Sequence, residues 1–73
     1  EDPLLFYKAI ANLSGSGKLR SGGRLYVELN PLLAEATCEV FSAKEGWCEV
    51  RLHTDLSGKS RFLSAKYLPA NKA

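Results

Sequence analysis

A glycine-rich stretch, SGSGKLRSGGRLY at residues 14–26, holds the residue types that could cradle a phosphate. A P-loop has the pattern G-x-x-x-x-G-K-[ST] between a strand and a following helix, so that backbone N–H groups and the helix N-terminus face the phosphates. Here Leu19 follows the Gly-Lys pair, and Asn12 stands at the position of the first glycine. The order of predicted elements is also reversed, with a helix before the stretch and a strand after it. The stretch is therefore interpreted as a connection between two elements.

The other residues that could do chemistry are few and scattered. His53 has no serine or cysteine partner at a recognisable spacing for nucleophilic catalysis, so a solvated histidine is favoured. Cys38 and Cys48 form no C-x-x-C pair, which disfavours a zinc site and favours two reduced thiols packed in a core. No catalytic residue, cofactor-binding residue or metal ligand is assigned to this chain.

Two helices are predicted, each from an acceptor side chain followed by proline. Asp2-Pro3 opens the first helix, because the side chain caps free amides and proline suits the first helical position. Its buried face is predicted from the i, i+3, i+4, i+7 spacing of four apolar residues: Phe6, Ala9, Ile10 and Leu13. Asn30-Pro31 opens the second helix, which ends at Gly46. Its inward positions are Leu33, Ala36, Val40 and Phe41.

Three strands follow from β-rich or alternating segments at residues 24–29, 48–53 and 61–67, with a turn at 55–59 before the last. The inward positions are Leu25, Val27 and Leu29; Cys48, Val50 and Leu52; and Leu63, Ala65 and Tyr67. A strand-helix-strand unit implies a parallel pair with a right-handed crossover, and the short turn makes the last strand antiparallel. The predicted class is α/β with a three-stranded mixed sheet, and Trp47 is expected to anchor helix to sheet.

Length and composition fit one small domain over residues 1–73, with a frayed segment at 66–73. The net charge of +2, spread over basic residues interleaved with acids, disfavours a nucleic-acid partner. Nothing resembles a signal peptide or a membrane-spanning run, so a cytoplasmic location without membrane contact is expected. The chain contains no methionine, which indicates a piece of a longer protein.

Three segments resemble the HemK-type protein N5-glutamine methyltransferases, which modify peptide chain release factors. DPLLFYKAIA at 2–11 resembles a segment that follows the family's catalytic Asn-Pro-Pro-Tyr motif, and LRSGGRLYVELN at 19–30 resembles its L-K-P-G-G-x-L-x-x-E-I stretch. DLSGKSR at 55–61 resembles its D-L-x-G-x-D-R hairpin. Ser21 and Ser60 depart from the family's usual proline and acid.

The resemblance implies the C-terminal part of a Rossmann-like class I methyltransferase catalytic domain that uses S-adenosylmethionine. Its seventh strand would lie antiparallel between the fifth and the sixth. The parent would methylate a glutamine of a release factor, and the catalytic and cofactor residues would lie upstream of Glu1. The fragment itself is then expected to be inactive and to bind no cofactor. By position alone, Glu28 and Asn30 approach the substrate side.

An alternative from another class is a small, non-enzymatic α/β module that binds nucleic acid or protein. It would need an exposed aromatic and basic face, for example Tyr26 with Arg24 and Lys18. If the chain is a methyltransferase fragment, the strand edge at residues 24–29 is exposed, and weak self-association through that edge is expected.

Overall fold

The computed structural model describes residues 2–69, which form two helices and one three-stranded sheet. The elements are α1 (Leu5–Ala11), β1 (Arg24–Glu28), α2 (Ala34–Ala43), β2 (Trp47–Thr54) and β3 (Ser60–Tyr67), with short 3-10 helices at Asn12–Gly15 and Pro31–Leu33. Both α-helices contribute to a single apolar core on one side of the sheet. The α/β class predicted from the sequence is confirmed. None of the helices within residues 2–69 has the length and hydropathy needed to cross a bilayer.

The sheet topology corrects the expected mixed sheet. The strand order is β1-β3-β2, and β3 is antiparallel to both of its neighbours, so every hydrogen-bonded pair of strands is antiparallel. β1 and β2 run in the same direction but do not pair, because the hairpin returns β3 into the space between them. The long connection through α2 permits this separation, whereas the short turn at 55–59 forces β2 and β3 together. A central last strand is the order that the family resemblance implies.

Trp47 joins the helices to the sheet, as predicted. It is 8% exposed, and its indole N–H donates to the carbonyl oxygen of Ala11 over 2.9 Å. Its ring lies edge-on to Phe41 and to Tyr67, with ring centroids 5.3 Å and 5.6 Å away. Edge-to-face pairs of this kind contribute about 0.5–1.5 kcal/mol each beyond the area that they bury. The indole therefore ties α1, α2 and β3 into one core.

The predicted inward face of α1 is wrong for Phe6 and Ala9 and is confirmed for Ile10, which packs against the core. Phe6 is 66% exposed and Ala9 is also exposed, whereas Tyr7 and Ala11 are buried. Leu4, Tyr7 and Ala11 form a second i, i+3, i+7 stripe, and a helix of seven residues is too short for spacing alone to choose between the two. Burial of Tyr7 is favoured because its hydroxyl reaches a hydrogen-bond acceptor at the end of β1.

A bulge in β2 also alters the expected pattern. Cys48 pairs with Lys66 and Arg51 pairs with Ser64, so Glu49 and Val50 together oppose a single residue of β3. Glu49 has a φ of 51°, which is uncommon for a residue other than glycine and typical of a bulge. The inward positions of β2 are therefore Trp47, Val50 and Leu52. Cys48 lies on the other side of the sheet, so the expectation that both thiols lie in the core is wrong for this residue.

The glycine-rich stretch connects α1 to β1 and is held by the end of β3. Gly22 has a φ of 86°, and its N–H donates to the carbonyl oxygen of Tyr67 over 2.7 Å. The Tyr67 N–H donates to the carbonyl oxygen of Gly23 over 2.8 Å. Lys66 and Tyr67, which begin the segment expected to fray, are thus paired in β3. Residues 70–73 of that segment lie outside the described residues.

Candidate functional site

The site predicted from the sequence lies where β1 ends, at Glu28. The Tyr7 hydroxyl donates to the carbonyl oxygen of Glu28 over 3.2 Å, which ties this end of β1 to α1. The Leu29 N–H donates to the carbonyl oxygen of Arg61 over 2.7 Å, so pairing with β3 continues one residue past the strand. Helix and sheet together therefore fix the backbone at this end of β1.

Asn30 caps the 3-10 helix that follows. Its side-chain oxygen accepts a hydrogen bond from the Leu32 N–H over 3.0 Å, and its carbonyl oxygen accepts one from the Leu33 N–H over 2.8 Å. Its φ and ψ of −76° and 119° are the extended values expected at a cap position. The cap predicted from Asn30-Pro31 is confirmed. The amide oxygen is already occupied by the backbone, which leaves the amide nitrogen as the polar group available to a ligand.

Glu28 presents a free carboxylate at the same end. The residue is exposed, and its carboxylate takes part in none of the ion pairs found within residues 2–69. Glu28 lies opposite Phe62 in the register of β1 with β3. The structure thus places Glu28 and Asn30 two residues apart at the end of the edge strand β1, and both residues are exposed.

The hairpin between β2 and β3 borders this end of the sheet and is organised by Asp55. One carboxylate oxygen accepts from the N–H groups of Ser57 and Lys59, at 2.9 Å and 3.0 Å, and from the Ser57 hydroxyl at 2.7 Å. The other accepts from the Arg61 guanidinium at 2.7 Å. The Arg61 hydrogen bond, followed by those from Ser57 and Lys59, holds the pKa of Asp55 well below its ordinary value. Asp55 therefore serves the turn as an acceptor that is charged at neutral pH.

One contact between chemistry-bearing residues was not foreseen from the sequence. The His53 imidazole lies with Nε2 at 2.7 Å from the Ser64 hydroxyl oxygen, on the side of the sheet away from the helices. A serine activated for nucleophilic attack needs a base that is itself oriented by a third group. Among the hydrogen bonds of residues 2–69, none involves the other ring nitrogen of His53. The pair is interpreted as a structural contact across two strands, which only the register of the hairpin could have indicated.

Residues 2–69 also bring together no group of three histidine, cysteine, aspartate or glutamate side chains able to hold a metal ion. Cys38 and Cys48 are both half-buried free thiols. The residues that the structure does gather at the end of β1 are a free carboxylate, an amide and a charged turn. These groups can bind and orient a polar ligand.

Comparison with known proteins gives one partial relationship. No protein-family model matches the chain. No solved structure matches it. The chain is 40% identical over 65 residues to a release factor glutamine methyltransferase of Bacteroides thetaiotaomicron, and the matched segment covers 89% of this chain and 23% of the relative. The chain thus spans less than a quarter of the length of this relative. The similarity indicates an origin related to a methyltransferase.

Proposed function

We propose that this chain is the C-terminal part of the catalytic domain of an S-adenosylmethionine-dependent protein methyltransferase that modifies a glutamine in a peptide chain release factor. The observation that carries the proposal is the 40% identity over 65 residues, which leaves only a small part of this chain outside the match. The central antiparallel position of β3 supports it, because the family that the motifs at residues 2–11, 19–30 and 55–61 resemble is expected to have the same strand order.

In this proposal the chain supplies one edge of the parent's sheet and part of the rim around its substrate. Transfer of a methyl group to a side-chain amide nitrogen needs a weak nucleophile to be oriented, which is a task of positioning. Glu28 and Asn30, at the carboxyl end of β1, are proposed to lie on the side from which the substrate protein approaches. S-adenosylmethionine would bind to the part of the parent that the matched segment does not include, and the 73-residue chain alone would neither bind the cofactor nor transfer methyl groups.

A segment exchange tests this proposal. The matched 65-residue segment of the Bacteroides relative is replaced by this chain, and methyl transfer from labelled S-adenosylmethionine to a release factor is measured. We expect the chimera to retain transfer. A second chimera that carries Phe41→Ala is the control, because Phe41 is fully buried and its loss should remove the fold and the activity together. A folded chimera that binds the cofactor and transfers nothing would refute the proposal. An unfolded first chimera would also count against it, since a true counterpart should be accommodated by its relative.

The same proposal predicts how the chain behaves in isolation. β1 is an edge strand, and the edge turned away from β3 has no strand partner within residues 2–69. Unpaired N–H and C=O groups along an edge are a template for pairing with another chain. We propose weak self-association through residues 24–29, visible as a sedimentation coefficient that rises with concentration. A proline at Tyr26 would be confounded with loss of the fold, so Tyr26→Lys, which places a charge on the edge strand at an exposed position, is the better variant, and Leu56→Lys, also exposed, is its charge-matched control. A coefficient independent of concentration would argue against this use of the edge.

A further inference from the structure

The side of the sheet away from the helices carries nine side chains in three rows, and we call this surface the open face. Strand register sets the rows, since residues directly opposite each other point to the same side. The rows are Arg24, Lys66 and Cys48; Tyr26, Ser64 and Arg51; and Glu28, Phe62 and His53. The bulge in β2 is what brings Cys48 onto this face together with Arg51, so the arrangement depends on the folded register.

The open face has the composition of a surface that meets water. A sheet face covered by protein is close to continuously apolar, whereas four of these nine positions are charged: Arg24, Glu28, Arg51 and Lys66. Burying them beneath another element would cost several kcal/mol per unpaired ion, as an order of magnitude. The open face is therefore suited to a solvated role rather than to a second core.

Three rings nevertheless stand exposed on this polar surface. Tyr26 is 66% exposed and Phe62 is 47% exposed, and His53 is exposed beside them. The Tyr26 and His53 rings lie with centroids 6.4 Å apart and planes inclined at 39°, which makes a shared platform across the central strand. The hydrogen bond to Ser64, itself only 8% exposed, restrains the His53 ring. Exposed rings on a rigid sheet are suited to stacking against flat ligand groups.

The charges on the open face favour an anionic ligand. Arg24 is paired with Glu49 at 3.6 Å, whereas Arg51 and Lys66 form no ion pair with any residue between 2 and 69. Glu28 is the one unpaired acid among the nine open-face residues, and it lies at the end of the third row. Two free cations beside a ring platform complement a ligand that repeats flat bases and phosphates along a chain.

We propose that the open face binds single-stranded nucleic acid. Bases stack on Tyr26 and Phe62, and phosphates lie against Arg51 and Lys66. The whole-chain charge disfavoured such a partner because it averages over both sides of the sheet, while the fold gathers the rings and two free cations on one side. This inference goes beyond the methyltransferase proposal, since it rests on the open face, and Glu28 is the one open-face residue that also belongs to the proposed substrate rim.

Fluorescence anisotropy with labelled 12-nucleotide uridine RNA and thymidine DNA strands tests the proposal on the 73-residue chain. We expect a Kd of about 100 μM or tighter in 50 mM salt, within the usual range of sequence-independent binding. Two phosphate contacts on a single strand predict an affinity loss of about sevenfold between 50 and 200 mM salt. Equal binding of the two strands assigns recognition to bases and phosphates, and preference for RNA adds a contact to the 2′-hydroxyl. Binding of neither strand at millimolar protein would overturn the proposal.

Matched variants locate the binding. Tyr26→Ala and Phe62→Ala should each weaken affinity about fivefold or more, and Tyr26→Phe should restore it because the ring is kept. Leu56→Ala is the control, because Leu56 is fully exposed in the hairpin turn and is not one of the nine open-face residues. Lys66→Gln should halve the salt dependence of binding. Lys59→Gln, in the hairpin turn that also holds Leu56, should leave that salt dependence unchanged. Equal effects of Lys59 and Lys66, or tighter binding of an acidic polyglutamate peptide than of either strand, would overturn the assignment. Circular dichroism melts of each variant show whether a loss of binding follows a loss of fold.

Discussion

On the helix side of the sheet, Leu63 and Ala65 of β3 are 0% and 1% exposed, whereas Phe62 of the same strand is 47% exposed on the opposite side. Neighbouring residues of one strand therefore meet two different environments. The covered face is made of apolar side chains that interlock with Phe41, Trp47 and the two helices. The open face carries both aromatic rings and charged groups. Of its hydrogen-bonded pair His53 and Ser64, only Ser64 is buried.

This contrast indicates where stability and recognition reside. A chain of 73 residues buries only about 60% of the surface that its unfolded form exposes, so each buried apolar side chain carries a large share of the stability. The open face contributes much less apolar burial, and its side chains are correspondingly free to vary or to bind. Replacing one side chain on each face and comparing the two losses of stability tests this difference most directly.

The largest expected difference is between two phenylalanines. Phe41→Ala should lower the free energy of unfolding by about 3–5 kcal/mol, because a fully buried ring leaves a cavity. Phe62→Ala, on the open face, should change it by less than about 1 kcal/mol. Native proteins have about 0.05–0.15 kcal/mol of stability per residue, which is about 4–11 kcal/mol for this chain, so the first variant should lose a large share of its total stability. Urea titrations followed by tryptophan fluorescence measure both. Similar midpoints for the two variants would mean that the open face is also part of the core.

A smaller effect is expected where the covered face meets the turn before β2. Gly46 has a φ of 101°, and a Cβ added there would lie 3.0 Å from Cε1 of Tyr67. The Tyr67 ring cannot withdraw easily, because its hydroxyl donates to the carbonyl oxygen of Ser14 over 2.8 Å. Gly46→Ala should therefore lower the free energy of unfolding by about 1 kcal/mol more than Gly58→Ala does.

Gly58 is the matched control for that comparison. It has a φ of 86°, also in the left-handed region, but no atom lies within 4 Å of a Cβ added there. Both alanines thus carry the backbone strain of a positive φ, and only the alanine at 46 carries the contact with Tyr67. Equal losses of stability in urea titrations would show that the ring yields and that packing at this corner is loose.

The sequence predicted those features that depend on short-range pattern. Alternation placed Leu25 and Val27 of β1 on the covered face, and the asparagine-proline pair predicted the cap at Asn30; both are confirmed. The inward face of α1 was wrong at Phe6 and right at Ile10, because seven residues offer two apolar stripes and only the acceptor at the end of β1 selects Tyr7. Local pattern thus predicts whether a segment forms a helix or a strand more reliably than it predicts which side of a short helix is buried.

Spacing and periodicity alone did not predict the long-range features. They favoured a direct parallel pair of β1 and β2, whereas the family resemblance implied the central place of β3 that the structure has. The contact between His53 and Ser64 depends on the register of β2 with β3. The bulge at Glu49, a residue that no turn pattern marks, moves Cys48 to the open face. At the candidate site, the cap at Asn30 was predictable, whereas the place of Glu28 relative to a substrate remains a prediction. The composition of the open face became apparent only once the register was known.

The smallest expected effect lies in the hairpin that joins β2 to the central strand β3. Hydrogen bonds to Asp55, with that from Arg61 the largest, lower its pKa below the ordinary value of 3.8. Because the folded-state pKa is depressed, the stabilisation is fully present above the unfolded pKa and is lost as pH falls through and below that value. Asp55→Asn removes this contribution, so the melting temperature of this variant should lie below that of the parent chain at pH 6 and approach it toward pH 2.

The controls isolate the effect of Asp55. Asp2, whose pKa is lowered by Lys8 and by the Leu4 N–H, is present in both proteins, so its contribution cancels in the difference. Glu39→Gln, on the exposed side of α2, controls for the loss of one carboxylate and should follow the parent chain throughout. A constant gap between Asp55→Asn and the parent chain from pH 6 to pH 2 would show that the turn depends on the shape of the side chain and not on its charge.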